Sequence, residues 1–439
     1  MSQTIPSTTL VIFGVSGDLA RRYLLPSLAE ICQNTDIRTN LRILGISRRD
    51  ISENEILDDK NPELKGIFQT FQMDYEIPDE FKNLKSQISK NPSEQVIFYF
   101  AVPPEAVPAI VTSLGEAKLN TPDNLLLMEK PFGTDLASSR KLIEKTQEYF
   151  KEEQVYRIDH YLAKEMAQNI AVFLGSNVLF RDVWHNQYID YVEIVTAESI
   201  GIEGRVKLWE STGSLRDFLQ SHLLQLAALT IMEPCPHDFD FSDLPKRRLV
   251  ALKQLYVDKN DLDKTAIRAQ YDGYRDEVDN PDSKAETFVA LQLHSSDPRW
   301  KNVPIYLATG KKLDRKLTQI RINFKKDREA EANMLTLRIQ PNEAIELDLW
   351  VKRPGYEREL QKKTLSFSYE QDFEDRLPNA YEQILVDAFR GSHSLFASSE
   401  EVLESWRIIQ PVIDYWQQDD SEVKQYKSGS TIEELLKNT

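Results

Sequence analysis

The sequence predicts two parts of different class. An α/β part built on a doubly wound parallel sheet comes first, and an α+β part with a large, mainly antiparallel sheet and helices on one face follows. Three observations predict this division. Short apolar runs alternate with longer amphipathic stretches over the first third of the chain. A glycine-containing turn joins the first apolar run to a helical pattern. After about Arg157 the texture changes, first to a long helical stretch and then to runs of alternating polarity. At 439 residues the chain exceeds what one hydrophobic core organises. A division into residues 1–157 and 158–439 follows from the change of texture.

In the first part, Leu10–Phe13, Leu41–Ile46, Val96–Val102 and Leu125–Met128 are short apolar runs, interrupted by a charge only at Arg42, as expected of strands covered on both faces. In the second part, Tyr191–Thr196, Thr287–Leu293, Ile320–Phe324 and Met334–Ile339 alternate or run apolar, as expected of strands in a half-covered sheet. The stretch Asp258–Asp282 is polar and reads as a surface excursion.

Composition narrows the function classes. Hydrophobic residues make up 41% and charged residues 28% of the chain, ordinary globular usage. No window approaches the roughly 18 apolar residues of a membrane span. The start, Met1-Ser2-Gln3-Thr4-Ile5-Pro6, lacks the basic and apolar regions of a secretory signal, so a cytoplasmic protein is expected. The two cysteines, Cys32 and Cys235, are far apart and lack the paired spacing of a zinc site; neither a disulfide framework nor a metal is expected. A net charge of −16 makes nucleic acid an unfavourable partner, and an anionic metabolite needs a local basic pocket.

Gly14-Val15-Ser16-Gly17-Asp18-Leu19-Ala20 lies between the first apolar run and a helical pattern. Glycines at this spacing let the chain turn sharply and bring helix N-terminal amides to a pyrophosphate, which makes Gly14, Ser16, Gly17, Asp18 and Leu19 candidate dinucleotide-binding residues. The second apolar run leads into Ser47-Arg48-Arg49, where an enzyme using NAD more often carries an acidic residue. Guanidinium groups there suit the 2′-phosphate of NADP, so NADP+ is the expected cofactor, with NAD+ as a weaker or dual one. The alternative for Arg48 and Arg49 is a solvated loop pair.

Three segments in order carry a more specific signal: the glycine turn, Glu129-Lys130-Pro131-Phe132-Gly133, and Arg157-Ile158-Asp159-His160-Tyr161-Leu162-Ala163-Lys164-Glu165. Together they resemble the glucose-6-phosphate dehydrogenase family. The resemblance continues through Ser214–Gln225, Ala308–Lys311 and Ala380–Gln383, and so covers nearly the whole chain. It implies a Rossmann-like NADP-binding domain followed by a substrate-binding and oligomerisation domain. The implied activity is oxidation of glucose 6-phosphate at C1, the first oxidative step of the pentose phosphate pathway, in a homodimer or homotetramer joined through the large sheet.

That reaction needs a base for the C1 hydroxyl proton while hydride leaves to the nicotinamide. His222 lies on an apolar helical face with Leu215, Phe218, Leu219 and Leu226, a place where histidine is usually a core residue. The resemblance makes it the base and assigns Asp159 as the carboxylate that orients it. If their segment is helical, His160 and Lys164 share one face with Tyr161 nearby, a cluster able to donate to a phosphate dianion. The resemblance gives all three to the sugar phosphate, with Lys311 and Arg315 as further contacts, although Lys312 and Lys316 blur which cation points inward. Glu198 and Asp217 match the family's partners for sugar hydroxyls. Lys130 falls where cofactor and sugar meet, constrained by Pro131.

The chain departs from the family pattern in several places. Ala163 stands where glycine is usual, Arg21 and Arg22 where lysines are common, and Val107 where a tyrosine often lies near the cofactor. Val206–Thr212 replaces glycines and aromatic-acidic residues, which weakens the sugar assignment beside Asp217. The chain is also shorter than most relatives, and no second NADP site is expected. A dehydrogenase for another aldose phosphate, an NAD-preferring variant and a noncatalytic NADP-sensing relative are the alternatives.

Overall fold

A computed structural model of the chain describes residues 5–57, 60–236, 240–326 and 331–438. Residues 1–4, on which part of the N-terminal reading rests, lie outside these. The first strands are β1 (Thr8–Phe13), β2 (Leu41–Ser47), β3 (Phe68–Gln72), β4 (Gln95–Phe100), β5 (Asn124–Met128), β6 (Val155–Ile158), β7 (Ile189–Ala197) and β8 (Leu255–Tyr256). They are followed by β9 (Ala266–Tyr271), β10 (Phe288–Ser295), β11 (Ile305–Gly310), β12 (Leu317–Phe324) and β13 (Met334–Gln340). The last are β14 (Ala344–Lys352), β15 (Leu360–Ser368), β16 (Phe396–Ala397) and β17 (Lys424–Tyr426).

Two compact units divide the chain. The first comprises Met1–Ala163, Phe241–Pro245 and Pro378–Val402. Its sheet has the order β16-β6-β5-β4-β1-β2-β3, parallel except where β16 adds antiparallel to β6. Every residue of β1 is buried, which is why that strand reads as an unbroken apolar run. Strand order reverses between β1 and β4, so the loops after Phe13 and Phe100 flank the crevice where a doubly wound sheet receives ligands. Arg157 and Ile158 are part of β6, and Pro378–Val402 returns to this unit. A single cut after Arg157 omits that return, because β16 finds its partner in β6 across a long stretch of sequence. The returning helix Ala380–Phe389 is capped by Asn379, whose side chain accepts the amides of Tyr381 and Glu382, and it packs on the helix Leu25–Ile31.

The second unit comprises Lys164–Asp240, Lys246–Leu377 and Leu403–Thr439. Its sheet runs β15-β14-β13-β12-β7-β11-β10-β9-β17, with β8 paired to β10. Most pairs are antiparallel; β7 with β11 and β9 with β17 are parallel. The helix Glu165–Ser176 packs on β13, and the π-helical segment Leu215–Leu223 packs on β7 and β11.

Asp258–Asp282 is not a surface excursion. It contains β9, hydrogen-bonded between β10 and β17. Within that strand the buried Gln270 side chain is satisfied internally, donating to the carbonyls of Ser283 and Ala285, both at 2.9 Å. At the opposite edge β15 is largely exposed, with Leu360 58% and Leu365 62% accessible. Among the described residues no helix is long and apolar enough to cross a membrane.

Candidate active site

The glycine turn forms as its composition requires. Gly14 has φ +80, and a Cβ there would fall 2.4 Å from the Ala101 carbonyl oxygen, so a side chain would force the β1 and β4 loops apart. The amides of Gly14 and Val15 both donate to the Ile46 carbonyl at 3.2 Å, and the Gly17 amide to Gly14 at 2.9 Å. Beyond Gly17 the helix opens as a π-helical turn, Ala20–Leu24. A cavity of about 450 Å³ lies over the turn, bounded by Gly14, Ser16, Gly17, Ser47, Arg48, Arg49 and Tyr75 together with Ala101–Pro103. Asp18 pairs with Arg22 at 3.4 Å, and Leu19 packs against the core. Neither residue is among those that bound the cavity. A crevice with the close-packed glycine turn on one side and Arg48 and Arg49 on the other fits a 2′-phosphorylated dinucleotide.

Lys130 follows β5, joined to Pro131 by a cis peptide bond. Its neighbour Glu129, which the sequence reading did not single out, turns its carboxylate inward. Glu129 accepts the Tyr99 hydroxyl at 2.5 Å and is also hydrogen-bonded by Tyr381. Burial pushes the Glu129 carboxyl up to about 7, against the pull of those tyrosines and of Lys130, with the Asp159 charge adding to the rise. Tyr381 in turn stacks parallel to His160 at 6.4 Å between ring centres, and Tyr161 lies 4.9 Å from His160.

The segment from Asp159 to Lys164 is not helical. It leaves β6 as a turn in which the buried Asp159 accepts the Tyr161 amide at 3.0 Å through its side chain and the Leu162 amide at 3.0 Å through its carbonyl. The helix begins only at Glu165, with Lys164 extended at its N-cap. A short polar residue followed by a tight turn explains why the helical spacing of His160 and Lys164 is not realised.

In the second unit, Lys164 is held below the usual lysine range by burial and by the nearby Lys316, with Glu343 opposing. Glu343 accepts the Met166 amide at the head of the same helix. Burial raises the Glu343 carboxyl, opposed by that amide and by Lys164. Arg315, the predicted substrate contact, pairs with its neighbour Asp314 at 3.4 Å, and its field reaches Glu433. The cation grouped with Lys164 is Lys316.

Glu198 and Lys311 follow β7 and β11, which are parallel neighbours, and the two side chains form an ion pair with Lys311 buried. The Lys311 ammonium also lies 4.6 Å from the Trp209 ring centre and 5.5 Å from that of Phe218. Trp209 belongs to the divergent stretch 206–212, so that departure bears directly on Lys311. Asp217, Phe218 and His222 share the π-helical segment packed on β7 and β11. His222 is buried, edge-on to Phe218 at 5.6 Å. The segment is anchored at its start by Glu286, which accepts the Leu215 amide at 2.9 Å across Gly213, itself at φ +59.

The sequence matches the family described as glucose-6-phosphate dehydrogenase, NAD binding domain, over residues 11–169, and glucose-6-phosphate dehydrogenase, C-terminal domain, over residues 171–437. It is 35% identical to the glucose-6-phosphate 1-dehydrogenase of Borreliella burgdorferi, with 98% of this chain and 95% of that one aligned. Among solved structures, a glucose-6-phosphate dehydrogenase in complex with its substrate glucose-6-phosphate matches with a TM-score of 0.90 at 30% identity, over 100% of this chain and 98% of that one. The glucose-6-phosphate 1-dehydrogenase of Mycobacterium avium matches with a TM-score of 0.85 at 30% identity, over 97% and 95% of the two chains.

Proposed function

The chain belongs to the glucose-6-phosphate dehydrogenase family, and from that premise we propose how its side chains divide the reaction. The protein is an oxidoreductase that converts glucose 6-phosphate to 6-phosphoglucono-1,5-lactone with NADP+. Bound over the glycine turn, NADP+ supplies the acceptor for the hydride that leaves C1.

His222 takes the C1 hydroxyl proton at a ring nitrogen, and Asp159 holds the imidazole in one tautomer and stabilises its protonated form. Burial of both side chains supports these roles, since a shielded base and carboxylate act without competition from water. Gly14, Ser16 and Gly17 form the turn against which the pyrophosphate lies, with Asp18 and Leu19 extending that surface at the head of the following helix, while Arg48 holds the 2′-phosphate. Lys130 orients the reacting end of the cofactor and the sugar. His160, Tyr161, Lys164 and Lys316 bind the sugar phosphate; Arg315 stands beside this group as a weaker candidate. Glu198, Asp217 and Lys311 discriminate the sugar hydroxyls.

One observation carries this reading furthest. The π-helical segment bearing Asp217 and His222 packs onto the two parallel strands whose ends deliver Glu198 and Lys311. Base and hydroxyl partners thus share one scaffold within the second unit. The decisive experiment follows absorbance of the reduced nicotinamide with purified protein, glucose 6-phosphate and NADP+. A panel of aldose 6-phosphates epimeric at C2 or C4 tests the alternative sugar, which Trp209 in the divergent stretch keeps in play. We also place the protein in the cytoplasm, as the buried, unpaired thiols of Cys32 and Cys235 support, and in a homodimer or homotetramer, as the exposed β15 edge supports.

A further inference from the structure

The two arginines after β2 have different surroundings. Arg48 stacks over the Tyr75 ring at 5.6 Å and pairs with Glu76 at 3.5 Å, both ends of the pair being more than half exposed. Arg49 has no acidic partner among the described residues. Arg48 also borders three cavities, two of which bear on its pairing. One is the cavity over the glycine turn, and the other, of about 360 Å³, carries Tyr75, Glu76, Pro103, Glu105 and Ala106.

We propose that Glu76 is a specificity-determining residue that moderates the preference for a 2′-phosphorylated dinucleotide over the unphosphorylated one. This rests on the reading of Arg48 as the 2′-phosphate ligand. A 2′-phosphate carries nearly two negative charges at neutral pH. To reach Arg48 it displaces the Glu76 carboxylate and then lies beside it, so the attraction of one group is offset by the repulsion of the other. An unphosphorylated ribose brings no charge and leaves the pair intact. The carboxylate parked on Arg48 is then a hydrogen-bond acceptor of the kind that ribose hydroxyls find in NAD-binding sites. There the acidic group follows the second strand; here it comes from the loop after β3, because the position after β2 holds Arg48. Tyr75 holds the guanidinium plane during the exchange, so Glu76 moves while Arg48 stays.

The test is equilibrium binding, by calorimetry, of adenosine 2′,5′-bisphosphate and of 5′-AMP to the full chain. Glu76→Gln keeps shape and removes charge. It is expected to tighten the bisphosphate about three- to tenfold relative to 5′-AMP, in the range of one exposed ion pair plus the relieved repulsion. An unchanged ratio overturns the proposal. Glu105→Gln, in the same cavity, is expected to change the ratio less than about twofold; an equal effect would reveal a diffuse field instead of the Arg48 pair and also overturn it. Arg48→Ala separates the two levels. If it leaves the ratio unaltered, the assignment of Arg48 fails. If it abolishes the preference for the bisphosphate while Glu76→Gln does nothing, only the role of Glu76 fails.

Discussion

The ammonium of Lys311 lies 4.6 Å from the ring centre of Trp209 while paired with Glu198, so a residue from the divergent stretch fixes a cation just after β11. Trp209 is fully buried. Replacing it with leucine removes both the ring face and part of the core. Trp209→Leu is expected to raise KM for glucose 6-phosphate about tenfold with a smaller change in kcat, and to lower Tm by several degrees. Steady-state kinetics with a thermal melt check both; an unchanged KM would detach Lys311 from the substrate.

His222→Asn should lower kcat by several orders of magnitude and leave KM within a few-fold, because a base acts chiefly in the transition state. Asp159→Asn should lower kcat less, by about 10²–10⁴, since the imidazole remains but loses its orienting charge. A near-normal kcat in the His222 variant assigns the base elsewhere.

The basic cluster makes a sharper prediction about neighbours in sequence. Lys164→Ala and Lys316→Ala are each expected to raise KM for the phosphorylated sugar at least tenfold, the loss of about 1.4 kcal/mol or more of charge-assisted binding. Arg315→Ala, whose side chain pairs with Asp314, should change it less than about threefold. The reverse ranking of Lys316 and Arg315 would return the phosphate contact to the arginine.

Glu129 predicts a pH effect on stability. Its folded carboxyl sits at about 7, above its ordinary value of 4.5. Between these values the folded state keeps a proton that the unfolded chain has released, so this group's contribution declines as pH rises through the window and levels off above about 7. Glu129→Gln stays neutral and lacks that decline. Calorimetry from pH 5 to 8 should show the variant's Tm gaining on the wild type as pH rises. A constant gap would mean that Glu129 is ionised throughout.

Much of the first sheet was legible because its strands are covered on both faces, which leaves unbroken apolar runs such as Leu10–Phe13. β3 and β6 give little strand signal, being short and partly polar, with Gln69, Thr70 and Arg157 among their residues. β9 reads as surface because burial of a polar strand depends on partners far away, as with Gln270 and the carbonyls of Ser283 and Ala285. Within the site, motif residues such as His222 and Lys311 were legible as residues but not in their setting. Apolar spacing around His222 signals a helix without distinguishing an α-helical turn from the wider π-helical one. Glu129 and Glu343 gave no local signal, since each is defined by contacts with distant residues, Tyr99 and Tyr381 for one and Met166 for the other. Lys316 and Arg315 are adjacent cations, and only the path of the chain after β11 separates them.

The pairing of β16 with β6 also sets a timetable for synthesis. As the ribosome delivers the chain, β6 emerges with one edge bare, and the strand that covers it lies beyond nearly all of the second unit. At about 5–20 residues per second that edge stays open for roughly ten to fifty seconds. The N-terminal unit therefore reaches its finished sheet only near the end of translation, and β6 is the place where a nascent chain would first need shelter from other strands.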